Sequence, residues 1–319
     1  MSHNSSATRS LPTALPTRQS GLWWGLVGVV AFSFTVPFTR VAVDGGMSPL
    51  FIGSGRAVVA ALLAGVALVL TRPRLPHGRQ WGRLAAVAAG VVVGFPMLTS
   101  YALTTVSASH AAVVIALLPA ATAVLAVVRG HERPPTRFWV MAAVGAVVAV
   151  GFAALQGGGL GGLHRSDLLL FGAVLAAAVG YAEGGLLARE LGAWQTVSWA
   201  LVLASPLMVG AAGLAIHRQP PTGGPLEWLA FAYLGVVSMY LGFFAWYRGL
   251  GIGPMTQVSQ VQLVQPVLTI GWAALLLHEP LTWATVLGGT AVIACAATAV
   301  RARLGVSAAR PAPLDVRRR

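Results

Sequence analysis

Between Thr256 and Gln265 the chain sets Thr256, Gln257, Ser259, Gln260, Gln262 and Gln265 into otherwise apolar surroundings. Amides and hydroxyls both donate and accept hydrogen bonds, so this set has the chemistry to recognise a polar solute. Ser259, Gln262, Pro266 and Thr269 follow the i, i+3, i+7 spacing of one helical stripe. Pro266 lacks an N–H and frees a backbone carbonyl beside them. Polar contacts between packed helices are the competing use of the same groups. Glu183, in VGYAEGGLL, has no basic residue three or four positions away. A carboxylate buried that way can bind and release a proton near neutral pH as its exposure changes, although one that merely keeps a lumen wet looks the same. Arg56 lies about eight residues into an apolar run, roughly 12 Å from its end and beyond easy snorkelling. Substrate binding and a structural bond to backbone carbonyls both stay open for it.

Two His-Glu pairs, His131-Glu132 and His278-Glu279, each follow a proline by twelve residues, Pro119 and Pro266. Imidazole and carboxylate are both metal ligands. The topology derived below separates the pairs by about 30 Å of hydrocarbon, so no metal site is expected. Each glutamate instead precedes a helix start, where free N–H groups and the macrodipole favour negative charge. No GxxxxGK[ST] loop, HExxH motif, Cys/His cluster or nucleophile elbow occurs. Neither direct ATP use, nor an enzyme, nor a cofactor is therefore expected. The single cysteine, Cys295, excludes an intrachain disulfide.

The elements that must position these residues are set by composition. Apolar residues make up 56% of 319 positions and charged residues 9%, far from the roughly one-quarter charged usual in soluble domains. Ten apolar runs have the length needed to cross a bilayer: 21–43, 48–70, 81–101, 106–128, 137–155, 167–189, 194–216, 226–248, 254–277 and 282–301. The net charge of +13 does not mark a nucleic-acid partner, because the basic residues are scattered at the ends of these runs. The polar first 20 residues read as a disordered tail rather than a cleaved signal, since the next run is too long for a signal core and lacks a small-x-small cleavage site. With the N-terminus inside, 17 arginines fall on the cytoplasmic side and three, Arg40, Arg165 and Arg218, outside. The positive-inside rule then makes both termini cytoplasmic in a plasma or inner membrane of a prokaryote.

Sliding the chain along itself by 147 residues places Pro119 on Pro266, Thr122 on Thr269, His131 on His278 and Glu132 on Glu279 without gaps. Five runs per half is an odd number, so the second half enters the membrane from the opposite side. The expected fold is an all-α integral membrane protein of ten transmembrane helices in two inverted five-helix repeats. The domains would be a disordered tail (1–20), a first repeat (21–155), a Gly-rich external linker (156–166), a second repeat (167–301) and a basic cytoplasmic tail (302–319). Inverted repeats are the recurrent build of secondary transporters, with substrate at the midplane.

SASHAAVVIALLPAATAVLAVVRGHERP and GPMTQVSQVQLVQPVLTIGWAALLLHEPLTW closely resemble the paired signature of EamA-type carriers in the drug/metabolite transporter superfamily. The resemblance spans about 21–301 and implies a 5+5 fold and export of small metabolites. Many relatives carry a glutamate before the second proline where this chain has Gln265, so no coupling role is transferred there. The expected function is a proton-coupled exporter of small metabolites, amino acids or drug-like compounds, working by alternating access; an importer or facilitator of a small metabolite is the alternative, and a membrane-embedded enzyme a remoter one. Gln262, Ser259, Thr269, Thr122, Gln265 and Arg56 form the expected substrate site and Glu183 the expected proton-coupling group. The expected partners are a small-molecule substrate, the lipid bilayer and a proton gradient, with a homodimer left open.

Overall fold

The computed structural model describes residues 17–129, 133–156, 164–253, 258 and 260–308, without the side chains of 17–19 and 303–308. Nine helices are long and apolar enough to cross a membrane among these residues: α1 (Ser20–Asp44), α2 (Pro49–Thr71), α3 (Arg79–Ala102), α4 (Ala108–Arg129), α5 (Thr136–Gln156), α6 (Arg165–Glu190), α7 (Ala193–Arg218), α8 (Pro225–Ile252) and α10 (Trp283–Ala302). Between α8 and α10 lies α9 (Gln262–Leu276), within the run expected at 254–277. The first helix begins at Thr17, inside the stretch read as tail. The other boundaries fall within a few residues of expectation, because hydropathy marks where a helix leaves hydrocarbon. There is no strand among the described residues.

The packing partners are closed under exchange of the two halves. α2 packs on α7, α5 on α10 and α4 on α9, each against its own counterpart. α1 packs on α8, and α6, the counterpart of α1, packs on α3, the counterpart of α8. Helices α3 and α8 each contain a π-helical stretch, Ala88–Gly94 and Leu234–Leu241. The 147-residue offset superimposes these two irregularities, so the repeat is present in the backbone as well as in the sequence. Small residues allow the closest approaches: a Cβ on Gly249 of α8 would lie 2.7 Å from the Gly25 nitrogen of α1, and one on Gly90 of α3 would lie 2.9 Å from the Gly180 nitrogen of α6. In lipid, where apolar burial between helices gains little, such backbone contact is what sets the pairing. The outward faces stay apolar, with Leu70, Val147 and Leu207 exposed.

Prolines decide where helices break. Pro37 has no N–H for the Ser33 carbonyl, and α1 is interrupted there, running as Thr17–Ser33 and then Thr35–Asp44. The freed carbonyl accepts the Thr269 hydroxyl of α9 at 3.0 Å. Pro119 interrupts α4 after Ile115, and α9 opens with a 3₁₀ turn, Gln262–Val264, just before Pro266. The first residues of α1, the last of α10 and the α2–α3 and α6–α7 connections lie at one end of the bundle, the termini end. The α1–α2, α3–α4, α7–α8 and α9–α10 connections lie at the far end.

Candidate functional site

The two repeat-related prolines meet. Pro119 and Pro266 line one interior void with Val36, Ala112, Ile115, Leu118, Gln262, Gln265 and Thr269. Its volume of about 10 Å³ is no more than one water requires. Two polar atoms on its wall have no hydrogen-bond partner among the described residues: Nε2 of Gln262 and Oε1 of Gln265, on side chains only 3% and 6% exposed. An unsatisfied buried polar group costs about 1–3 kcal/mol. A donor and an acceptor left open on the wall of one void are suited to a solute that supplies the complementary groups.

The expected substrate residues divide on inspection. Gln262, Gln265 and Thr269 come together. Thr122 does not join them: its hydroxyl donates to the Leu118 carbonyl of its own helix at 2.8 Å. The repeat-related Thr269 spends its hydroxyl proton on α1, so equivalence in sequence does not carry over to hydrogen bonding. Ser259 lies outside the described residues. Arg56 is off the wall of the void, 1% exposed in α2. One terminal nitrogen of its guanidinium donates to the Thr99 hydroxyl at 3.4 Å, and Nε has no partner among the described residues.

Glu183 occupies a different place, the wall of a cavity of about 1290 Å³ at the termini end. Its carboxylate is not solitary. Arg83 of α3 donates from Nε to Oε2 at 2.9 Å, and Arg129 of α4 donates from Nε to Oε1. Arg83 also reaches Glu190 at 2.6 Å. The sequence reading found no partner because it inspected one helix face, whereas both arginines come from other helices. The cavity wall also holds Arg79 and the apolar side chains Leu125, Val128, Val179 and Leu186. Because α3 and α4 belong to the first repeat and α6 to the second, this vestibule lies between the repeats.

At the far end the α3–α4 connection is clasped by residues of three other segments. Arg40 of α1 donates to the Leu103 and Val106 carbonyls at 2.7 and 3.0 Å. Glu279, after α9, accepts from the Ala108 and Ser109 backbone nitrogens at 2.7 and 2.8 Å and from the Ser109 hydroxyl at 2.5 Å. His110 Nε2 pairs with Asp167 Oδ1 of α6 at 2.8 Å, and Asp167 Oδ2 accepts from the His164 backbone nitrogen at 2.9 Å. Glu279 thus serves a helix start as anticipated, but that of α4 rather than of the helix that follows it. The reason is spatial, since the α9–α10 connection folds over the free N–H groups of α4. Its repeat partner Glu132, with His131, lies outside the described residues. Sequence reasoning missed Arg83, Arg129 and Asp167, and no local spacing could have revealed them.

A model of the "EamA-like transporter family" matches residues 19–154 and again 164–301. An uncharacterized transporter, YdeK of Bacillus subtilis (strain 168), is 44% identical over 277 residues, covering 87% of this chain and 96% of that protein. A probable terminal-alkyne amino-acid exporter of Streptantibioticus cattleyicolor is 27% identical over 259 residues, covering 77% and 82%. A solved structure described only as "Crystal structure of protein" superimposes with a TM-score of 0.61 at 18% identity, covering 91% of this chain and 99% of the other. At that identity the likeness is one of fold.

Proposed function

Because this chain belongs to the EamA-like transporter family, matched over both of its halves, we propose that it exports small metabolites by alternating access in exchange for protons. It is a multi-pass membrane transporter. The observation that carries the finer reading is the asymmetry of the two ends. A vestibule of about 1290 Å³ opens between the repeats at the termini end, while the far end is held by the Arg40, Glu279 and His110–Asp167 contacts. Inverted repeats can exchange these two conditions, which is the requirement of alternating access. The arginine bias of the loops makes the termini end cytoplasmic, so the vestibule receives solute from inside the cell.

In this reading Gln262 and Gln265 bind the substrate at the repeat crossing, with Thr269 of α9 and Thr122 of α4 along the path and Arg56 on the outward side; Ser259, outside the described residues, is assigned to the substrate on its sequence spacing alone. Glu183 is the coupling group. A proton on its carboxylate dissolves the pairs to Arg83 and Arg129 and loosens α6 from α3 and α4 between the repeats. The amino-acid exporter from Streptantibioticus cattleyicolor supports a substrate of amino-acid size. The test compares extracellular metabolites of deletion and overexpression cells, with and without a protonophore. At least one small metabolite should rise outside overexpressing cells and fall outside deletion cells, and the rise should vanish when the gradient collapses. Identical profiles in the two strains refute export, and export indifferent to the protonophore refutes coupling.

A further inference from the structure

The far end holds a cavity of about 280 Å³, separate from the void of the two prolines and from the vestibule of Glu183. His110 and Asp167 are the buried polar groups of its wall, whereas Gln156 and His164 are exposed, so it opens to the far side. Here one ionisable side chain of each repeat meets the other. His110, in the first turn of α4, joins Asp167, in the first turn of α6, at 2.8 Å. The neighbouring Thr105 and Ser166 hydroxyls bond across the same seam. Asp167 is 1% exposed and spends its other oxygen on the His164 N–H.

The remaining charged groups around His110 are engaged or turned to solvent. From α1, Arg40 is held by Asp44 and by the Leu103 and Val106 carbonyls. From the α9–α10 connection, Glu279 is bound to the Ala108 and Ser109 N–H groups, and His278 beside it is exposed. His164 and Arg165, at the start of α6, are exposed as well. From α5 come the Phe152 ring, 5.2 Å from the imidazole, and the Gln156 amide. The far half of α10, residues 283–292, has no ionisable side chain. Of all these groups, the imidazoles are the ones that ordinarily change charge between about pH 5 and 8. Among the described residues, His110 is the imidazole bonded across the seam between the repeats.

An ionised carboxylate can only accept, so Nε2 of His110 carries a proton in this contact. A second proton, on the other ring nitrogen, turns the neutral hydrogen bond into an ion pair about twice as strong. That added strength exists only while α4 and α6 touch, so acid on the far side favours a closed far end and alkali releases it. The 147-residue offset places Gln257 on His110 and Ser20 on Asp167. Neither ionises in this range, so the inverted counterpart of the contact cannot answer to protons.

We propose that His110 is a proton-binding site open to the far side, and that its protonation latches α4 to α6 and closes that end after solute has left. The latch rests on the alternating-access reading above and adds the return step to it, at the end of the bundle opposite Glu183.

The test reads closure directly, without a substrate. In a Cys295→Ala chain, spin labels at Thr104→Cys and Leu168→Cys, both exposed positions, flank the seam. Dipolar broadening of their spectra in lipid nanodiscs falls as the labels part. Between about pH 8 and pH 5.5, across the histidine range, the ratio of close to parted labels should rise. The rise should be about fivefold, the difference between a neutral and a charge-assisted hydrogen bond. His110→Gln keeps a donor for Asp167 without a titrating ring and should flatten this profile, whereas loss of mere packing would move the ratio equally at every pH. If that variant fails to accumulate, Asp167→Asn should flatten the profile likewise, and His164→Gln should preserve it. A wild-type ratio indifferent to pH, a profile that survives both His110→Gln and Asp167→Asn, or one abolished by His164→Gln overturns the latch. With metabolite export intact, those results remove the latch alone. Labels that never part in any variant, together with no exported metabolite, remove alternating access as well.

Discussion

Glu279 offers the sharpest perturbation of the closed far end. Its carboxylate accepts three hydrogen bonds from the start of α4, with Oε2 taking both the Ser109 N–H and the Ser109 hydroxyl. In Glu279→Gln an amide nitrogen replaces one of these oxygens, a donor then faces a donor, and the remaining bond loses its charge. Leaving a part-buried N–H unsatisfied costs about 1–3 kcal/mol. That energy is charged only to the conformation in which the clasp is made, so it moves the balance toward an open far end by about five- to 150-fold. The assay uses the single native cysteine to advantage. Cys295→Ala leaves a chain without thiols, into which Ala112→Cys places a reporter on the wall of the void. Ala112 is 1% exposed, so maleimide should label it slowly in nanodiscs. Adding Glu279→Gln should raise the labelling rate by at least about fivefold, and Glu279→Asp, which keeps the charge on a shorter arm, by less. Equal rates in all three backgrounds, with normal unfolding temperatures, would show that the Glu279 contacts do not hold the far end closed.

Three other outcomes are expected. Reporters fused after Arg79 and at the C-terminus should behave as cytoplasmic and one inserted near Gly159 as external; an external C-terminus refutes the arginine count across the loops. Glu183→Gln should abolish gradient-driven export at unchanged protein abundance, because a permanently neutral side chain cannot exchange a proton, and transport whose pH dependence survives removes Glu183 from coupling. Gln262→Leu should weaken substrate binding by roughly 1–3 kcal/mol, about five- to 150-fold. Its Nε2 has no partner to lose, so thermal stability should hold or rise, and a variant with normal affinity assigns the residue to helix packing instead.

The membrane class, the run lengths and the duplication could all be read from the chain itself. Each depends on properties that are linear in sequence: hydropathy averaged over a crossing, arginine counts in successive connections, and a constant offset between halves. Proline positions likewise announced breaks in α4 and α9, because the lost N–H belongs to the residue and not to its surroundings. The break at Pro37 is of the same kind and was open to the same reading. Gln262 and Gln265 were singled out by polarity alone, and the structure adds that one atom of each is unpartnered beside Pro266.

What only the tertiary structure decided is which side chains meet across helices. Glu183 gains Arg83 and Arg129 from positions 100 and 54 residues away, Glu279 reaches the start of α4, and Arg56 has no carboxylate partner among the described residues. Helical geometry specifies neighbours only three or four residues along one face. The rotation and height of one helix against another are set by close backbone contacts such as Gly249 on Gly25, which no spacing along a single helix encodes. Thr122 and Thr269 make the point within one repeat pair. They are the same residue at equivalent positions, yet one bonds its own helix and the other the carbonyl that Pro37 leaves free in α1.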